Sequence, residues 1–143
     1  MSNKSLSAFL AQNAIKVNNR KLIPSKRFLD ENGNPIEWEI KSITADENQK
    51  LRKSCMRSVP VPGKRGQFTQ EFDTASYQAK LAVKCVVYPD LNTQELQDSY
   101  AVMGAEQLIS AMLTPGEFDN LISEILEHNG FSDMGDLVEE AKN

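Results

Sequence analysis

One histidine and two cysteines are all that this chain of 143 residues offers as imidazole or thiolate groups for metal ligation and nucleophilic attack. That scarcity excludes much. His128 stands without a Cys/His cluster around it, which argues against zinc, and no serine or cysteine neighbourhood resembles a Ser/His/Asp or Cys/His arrangement. Cys55 and Cys85 lie far apart, at apolar positions of predicted helices, and read as small buried thiols suited to a reducing compartment. Carboxylates are plentiful, but pairs such as Glu139 and Glu140 belong to exposed acidic faces, where nothing would tune them for acid/base work. No catalytic residue, metal ligand or cofactor-binding residue is assigned, and no cofactor is expected; the chain reads as a non-enzyme.

Long apolar runs are also missing. The richest one is broken by Lys84, so no transmembrane segment is expected. The start, MSNKSLSAFLAQNA, has one lysine and too short an apolar stretch for a secretory signal, which points to the cytoplasm. An excess of positive charge is lacking too: 16 basic residues against 20 acidic ones give a net charge of -4, which disfavours bulk binding to nucleic acid or an anionic membrane. The charge is nevertheless polarised. Lys50, Arg52, Lys53, Arg57, Lys64 and Arg65 form a basic block with no acid among them, whereas Glu117, Asp119, Glu124, Glu127, Asp133, Asp136, Glu139 and Glu140 face only Lys142 after Thr114.

What is present is a helical core signal, densest over residues 91–126. Asn92 with Glu95, and Thr114 with Pro115 and Glu117, have the spacing of two capped helix starts, and Gly104 divides the run. Leu96, Tyr100 and Met103, then Leu108, Ile109, Met112 and Leu113, then Phe118, Leu121, Ile122, Ile125 and Leu126 recur at helical intervals. Two further helices precede these. One is predicted over 45–57 behind a Thr44/Glu47 capping box, with Asp46 and Lys50 spaced to pair; the other runs from Asp73 or Thr74 to about 87. Asn129 and Gly130 supply a stop, Phe131 a folded-back contact, His128 a cation for the last carbonyls, and 132–138 a final short acidic segment through Leu137.

The period changes between 15 and 43. IKVNNRKLIP reads as extended, and 26–43 as a hairpin turning through 30–35, whose second strand puts Ile36, Trp38 and Ile40 on one face and Glu37, Glu39 and Lys41 on the other. Trp38 is thus expected in the core. The fold class that results is α+β, a small N-terminal antiparallel sheet followed by a predominantly helical bundle. An amphipathic N-terminal helix or arm (1–14), with Leu6, Phe9 and Leu10 at helical spacing, would precede a single domain over 15–143 with an acidic C-terminal tail. The segment SVPVPGKRGQFTQEF is expected to be an extended, turning surface loop. Gly63-Lys64 lacks the earlier glycine and the following Ser or Thr of a phosphate loop, so nucleotide binding is rejected. The basic block with Phe68 and Phe72 leaves a nucleic-acid-binding regulator as the alternative function, although no helix-turn-helix, zinc-finger or RNA-binding aromatic motif accompanies it.

Several strings carry more than composition does: SAFLAQNAIKV, SKRFLDENGNPIEWEIKSIT, LRKSCMRSVPVPGKRGQFT, LNTQELQDSYAVMGAEQLISAMLTPGEF and the closing DLVEEAKN. In that order the chain resembles the XkdN/YqbN-like family of phage tail assembly chaperones of Bacillus-type prophages, nearly end to end. The resemblance implies a non-enzymatic protein that binds the tape-measure protein, keeps it in solution, recruits tail-tube subunits and leaves before the tail is complete. In many phages the gene of such a family member also yields a longer, frameshifted product, of which this chain would be the short form, and the resemblance is compatible with a homo-oligomer. The expected partner-binding residues are Leu6, Phe9 and Leu10 on the arm, Lys64, Arg65 and Phe68 on the Pro/Gly segment, and Leu121, Ile125 and Leu137 near the end. Helix-in-groove recognition uses apolar anchors at such intervals.

Overall fold

Alternation around Trp38 decides where sheet and helices meet. The protein is described here by a computed structural model over residues 6–131. After a 3-10 turn (Ser7–Phe9) come β1 (Arg20–Leu22), β2 (Trp38–Ile40), α1 (Ala45–Ser54), β3 (Met56–Pro60), β4 (Phe68–Phe72), α2 (Thr74–Cys85), β5 (Val86–Tyr88), α3 (Gln94–Ser99), α4 (Ala105–Met112) and α5 (Pro115–His128). The class is mixed α+β. β1, β2 and β5 form an antiparallel sheet in that order, and β3 and β4 pair separately.

Trp38 and Ile40 are buried while Glu39 between them is not, so β2 turns one face to the helices. Packed against that face are Tyr77, Leu81, Ala82 and Cys85 of α2, Leu108, Ile109 and Met112 of α4, and Leu121, Ile122, Ile125 and Leu126 of α5. These belong to one cluster. Each fully buried Leu, Ile or Phe side chain contributes about 1.5–3 kcal/mol by leaving water, so the sum outweighs any single polar contact on the surface. Burial also pushes the Cys85 thiol up to about 11, which keeps it protonated and inert near neutral pH.

The helix starts follow local chemistry. Thr44 and Glu47 close one capping box and Thr114 and Glu117 another, with Pro115 in the first turn, and Asp73 caps α2 by accepting from Ser76 N–H. α5 stops in a complete Schellman motif: Gly130, at φ +94°, donates to Glu127 O, and Phe131 donates to Leu126 O at 2.9 Å. Those bonds and the Asn129 amide, which donates to Ile125 O, serve the last carbonyls that His128 was expected to serve. Asn92 does not cap α3. Thr93 is the N-cap, without a side-chain bond, and Asn92 instead belongs to the preceding Asx turn, where its N–H donates to Asp90 Oδ1.

Strand pairing departs from the expected hairpin in one respect. The 30–35 turn is present, with Asp30 Oδ1 accepting from Asn32 and Asn34 N–H and Gly33 at φ +82°, but it closes only an isolated Leu29–Pro35 bridge. β2 pairs instead with β1 on one side, Arg20 opposite Ile40 and Leu22 opposite Trp38, and with β5 on the other. Pro35 lacks the N–H that a continued ladder through the turn requires, whereas β1 supplies a full set. β5 ends a stretch that reads as helix, yet Val-Val-Tyr suits a pleated surface better than a helix end.

Ion pairs tie the extended N-terminal segment down onto α5. Arg20 Nη1 lies 3.1 Å from Glu124 Oε2, and Arg27 forks onto Glu117 through Nε and Nη2 at 3.2 and 2.6 Å while Nη2 also donates to Met112 O at 2.7 Å. The Arg27 bond first, then the Thr114 N–H and the Ser25 hydroxyl, hold the Glu117 carboxyl well below the usual carboxylate range. Among the described residues, no helix is long and apolar enough to cross a membrane.

A candidate partner-binding surface

The Pro/Gly segment expected as a loop is an antiparallel ribbon. β3 and β4 face each other through five pairs, from Met56 opposite Phe72 at the base to Pro60 opposite Phe68 near the tip. Directly opposite residues share a face, so Met56, Ser58, Pro60, Phe68, Gln70 and Phe72 form one side, and Arg57, Val59, Thr69 and Glu71 the other. The prolines are accommodated because a two-stranded ribbon has free edges that need no donor. At the tip, Val61 N–H donates to Gln67 O, Lys64 N–H to Val61 O and Gln67 N–H to Lys64 O. Gly63 and Gly66 take the positive φ of +75° and +77° that this tight return requires.

Only the base of the ribbon is anchored. Phe72 packs on Tyr77 with ring centroids 5.6 Å apart, the Arg52 guanidinium lies 4.9 Å from the Phe72 centroid, and Asp73 N–H donates to Cys55 O. Beyond that the strands are nearly all exposed, with Phe68 at 64%. Arg57 is neutralised by Glu71 and Asp73 at 3.5 and 3.9 Å. Lys64 and Arg65 project at the tip with no ion-pair partner among the described residues.

A second exposed apolar region is the arm. The expected amphipathic helix is reduced to the Ser7–Phe9 turn, held by Asn13 Nδ2 donating to Ser7 O, because so short a segment without a packing surface does not sustain a helix. Leu6, Phe9 and Leu10 are all exposed, Phe9 at 80%. The chain after it is extended and bare as well. Ile15 is 98% exposed and Val17 also faces solvent, two residues that helical-periodicity reasoning missed, since a lone apolar residue in an extended segment carries no periodic signal.

The other expected contact residues fall elsewhere. Leu121 and Ile125 have 0% exposure and lie in the core under α2 and β2, so they are not surface residues; their spacing matches burial and exposed anchoring equally. Leu137, with the acidic segment around it, lies outside the described residues. Thus the structure gathers Lys64, Arg65 and Phe68 on one ribbon and Leu6, Phe9 and Leu10 on one turn, and removes Leu121 and Ile125. A cleft of about 200 Å³ lies between Ile43, Asn48, Leu81 and Phe131, and none of its lining residues is titratable.

Comparison with known proteins assigns a family to this arrangement. A family model described as phage XkdN-like tail assembly chaperone protein matches residues 6–142. The phage-like element PBSX protein XkdN of Bacillus subtilis (strain 168) is 33% identical over 140 residues, covering 96% of this chain and 93% of that protein. The uncharacterized protein YqbN of the same strain shares the same identity and coverage. A crystal structure of YqbN superposes with a TM-score of 0.76 at 27% identity, over 92% of this chain and 100% of the other.

Proposed function

The chain belongs to the phage XkdN-like tail assembly chaperone family, and from that premise we propose that it is a non-enzymatic chaperone of the host cytoplasm that binds the tape-measure protein and brings it to tail-tube subunits. The observation that carries this reading is the bare arm. Leu6, Phe9, Leu10, Ile15 and Val17 expose apolar side chains within one short segment and contribute nothing to the core. A patch of this kind on a protein of modest size marks a protein-protein surface. Apolar helices of a long tape-measure chain would aggregate before tube subunits cover them, and transient contact with such an arm would keep them in solution.

Co-expression tests it. A phage tape-measure protein co-expressed with this chain should stay soluble and co-purify with it, and Phe9→Asp with Ile15→Asp should return it to the pellet while leaving the chaperone folded. Equal solubility with and without the chain would sink the proposal. The nucleic-acid reading keeps one observation in its favour, Lys64 and Arg65 at the ribbon tip, which have no ion-pair partner among the described residues. Salt-dependent retention of DNA by the wild-type chain, lost on Lys64→Glu with Arg65→Glu, would support it.

A further inference from the structure

The β3–β4 ribbon combines two properties that seldom coincide on a surface left in water. Met56, Pro60 and Phe68 lie exposed along one face, and the strip is flanked by Lys53 at the end of α1 and by Lys64 and Arg65 at the tip. None of these three cations has a carboxylate within ion-pair distance among the described residues, although Lys50, Arg57 and Lys84 all do. A partner matched to this strip is acidic and carries apolar side chains.

Residues 132–143, SDMGDLVEEAKN, have that composition. Asp133, Asp136, Glu139 and Glu140 outweigh Lys142, and Met134, Leu137 and Val138 are interleaved with them. We infer that the ribbon strip is the docking site of this acidic segment from the same chain, which covers Phe68 until a partner displaces it. The inference stands apart from the identity of whatever the arm binds.

Reach and charge together select this occupant. Phe131 lines the cleft beside Ile43, Thr44 and Ala45, where α1 begins. From there, the ten residues of α1 rise about 15 Å. Cys55 and the five residues of β3 add about 20 Å, so the Pro60–Phe68 pair lies within about 35 Å of the start of α1 even if helix and strand were collinear. The segment 132–143, extended, spans up to about 40 Å. A tether of this length gives an effective concentration on the order of millimolar, so a weak contact within one chain forms where the same contact between copies would not. The path along α1 also passes Lys53, which prolongs the favourable charge from the helix to the ribbon tip.

A paramagnetic label decides the matter in the full chain. Cys55 and Cys85 are buried, so a nitroxide on Val138→Cys reports on that position alone. At about 0.01 M salt, where the screening length is about 30 Å, the ribbon amides of β3 and β4 should lose most of their intensity, and at about 1 M salt they should recover it. Lys64→Glu with Arg65→Glu should also restore them, with the α5 amides unmoved as proof of folding. Adding Asp136→Lys and Glu139→Lys should bring the broadening back. Sharp ribbon signals at low salt, or broadening indifferent to the charge reversal, would overturn the inference. So would broadening that arises only when unlabelled chain is mixed with a spin-labelled copy, which would make the contact intermolecular. Ribbon amides that shift with a short DNA duplex while staying sharp beside the nitroxide would assign the strip to nucleic acid instead.

Discussion

α5 and the β3–β4 ribbon are both marked by apolar residues in the sequence, and they meet opposite fates. α5 opens on a complete capping box, ends in a Schellman motif and buries Leu121, Ile122, Ile125 and Leu126. The ribbon is anchored only at Phe72 and holds Phe68 and Met56 out to solvent. Helical spacing lines up α5's apolar side chains against the sheet and the other helices, whereas the ribbon extends past the edge of the core, where no described residue covers Phe68. The lesson is that an apolar residue supplies stability only where a second element covers it.

The largest expected effect tests that contrast directly. Leu121→Ala should cost about 2–5 kcal/mol in urea unfolding, since the cavity lies in the middle of the cluster. Phe68→Ala should change stability by no more than about 0.5 kcal/mol. Equal losses in the two variants would show that the ribbon packs against something and would abolish the distinction.

A smaller effect should come from Gln97, the buried amide between α3 and α4. Its Nε2 donates to Leu91 O at 2.9 Å, and its Oε1 accepts from Gly104 N–H at 2.9 Å, which fixes the corner where Gly104 adopts φ +94°. Gln97→Leu strands both backbone groups and should lower stability by about 1–3 kcal/mol. Unchanged urea midpoints would mean that water reaches the corner. Thr114→Ala removes the α5 cap and should cost about 1 kcal/mol by the same measurement, while the core contacts of α5 persist.

The smallest effect concerns pH. Glu117 has its folded value depressed below the ordinary 4.5 by Arg27 and the Thr114 N–H, so its contribution is present above pH 4.5 and is lost as pH falls toward that depressed value. Because this pair lies at the surface, Glu117→Gln should flatten only the acid limb of the stability curve and leave neutral pH little changed. An unaltered acid limb in the variant would remove Glu117 from the account. Loss of stability at neutral pH comparable to Leu121→Ala would instead give the Arg27 clamp the weight assigned to the core.

Much of the fold was legible residue by residue. The Thr44, Asp73 and Thr114 caps, the Asn129-Gly130 stop and the buried face of Trp38 all depend on chemistry within a few positions, and each appears where the local pattern puts it. The candidate surface was legible only in part. Phe9 and Phe68, singled out from the pattern around them, are exposed, but the exposed Ile15 and Val17 gave no such signal, and Leu121 and Ile125 lie inside the core because a helix stripe does not say what faces it.

The sequence by itself determined the starts of α1, α2 and α5 and the stop of α5, the α+β class, the family and the opposition between a basic block and an acidic end, because caps, periods and charges are local or additive. The tertiary structure alone decided that Arg20–Leu22 flanks Trp38–Ile40, that Val86–Tyr88 is a strand, that the Pro/Gly segment is a ribbon and that Gln97 is the buried clip. Strand pairing and exposure are relations between residues far apart in the chain, and no window of sequence contains both partners.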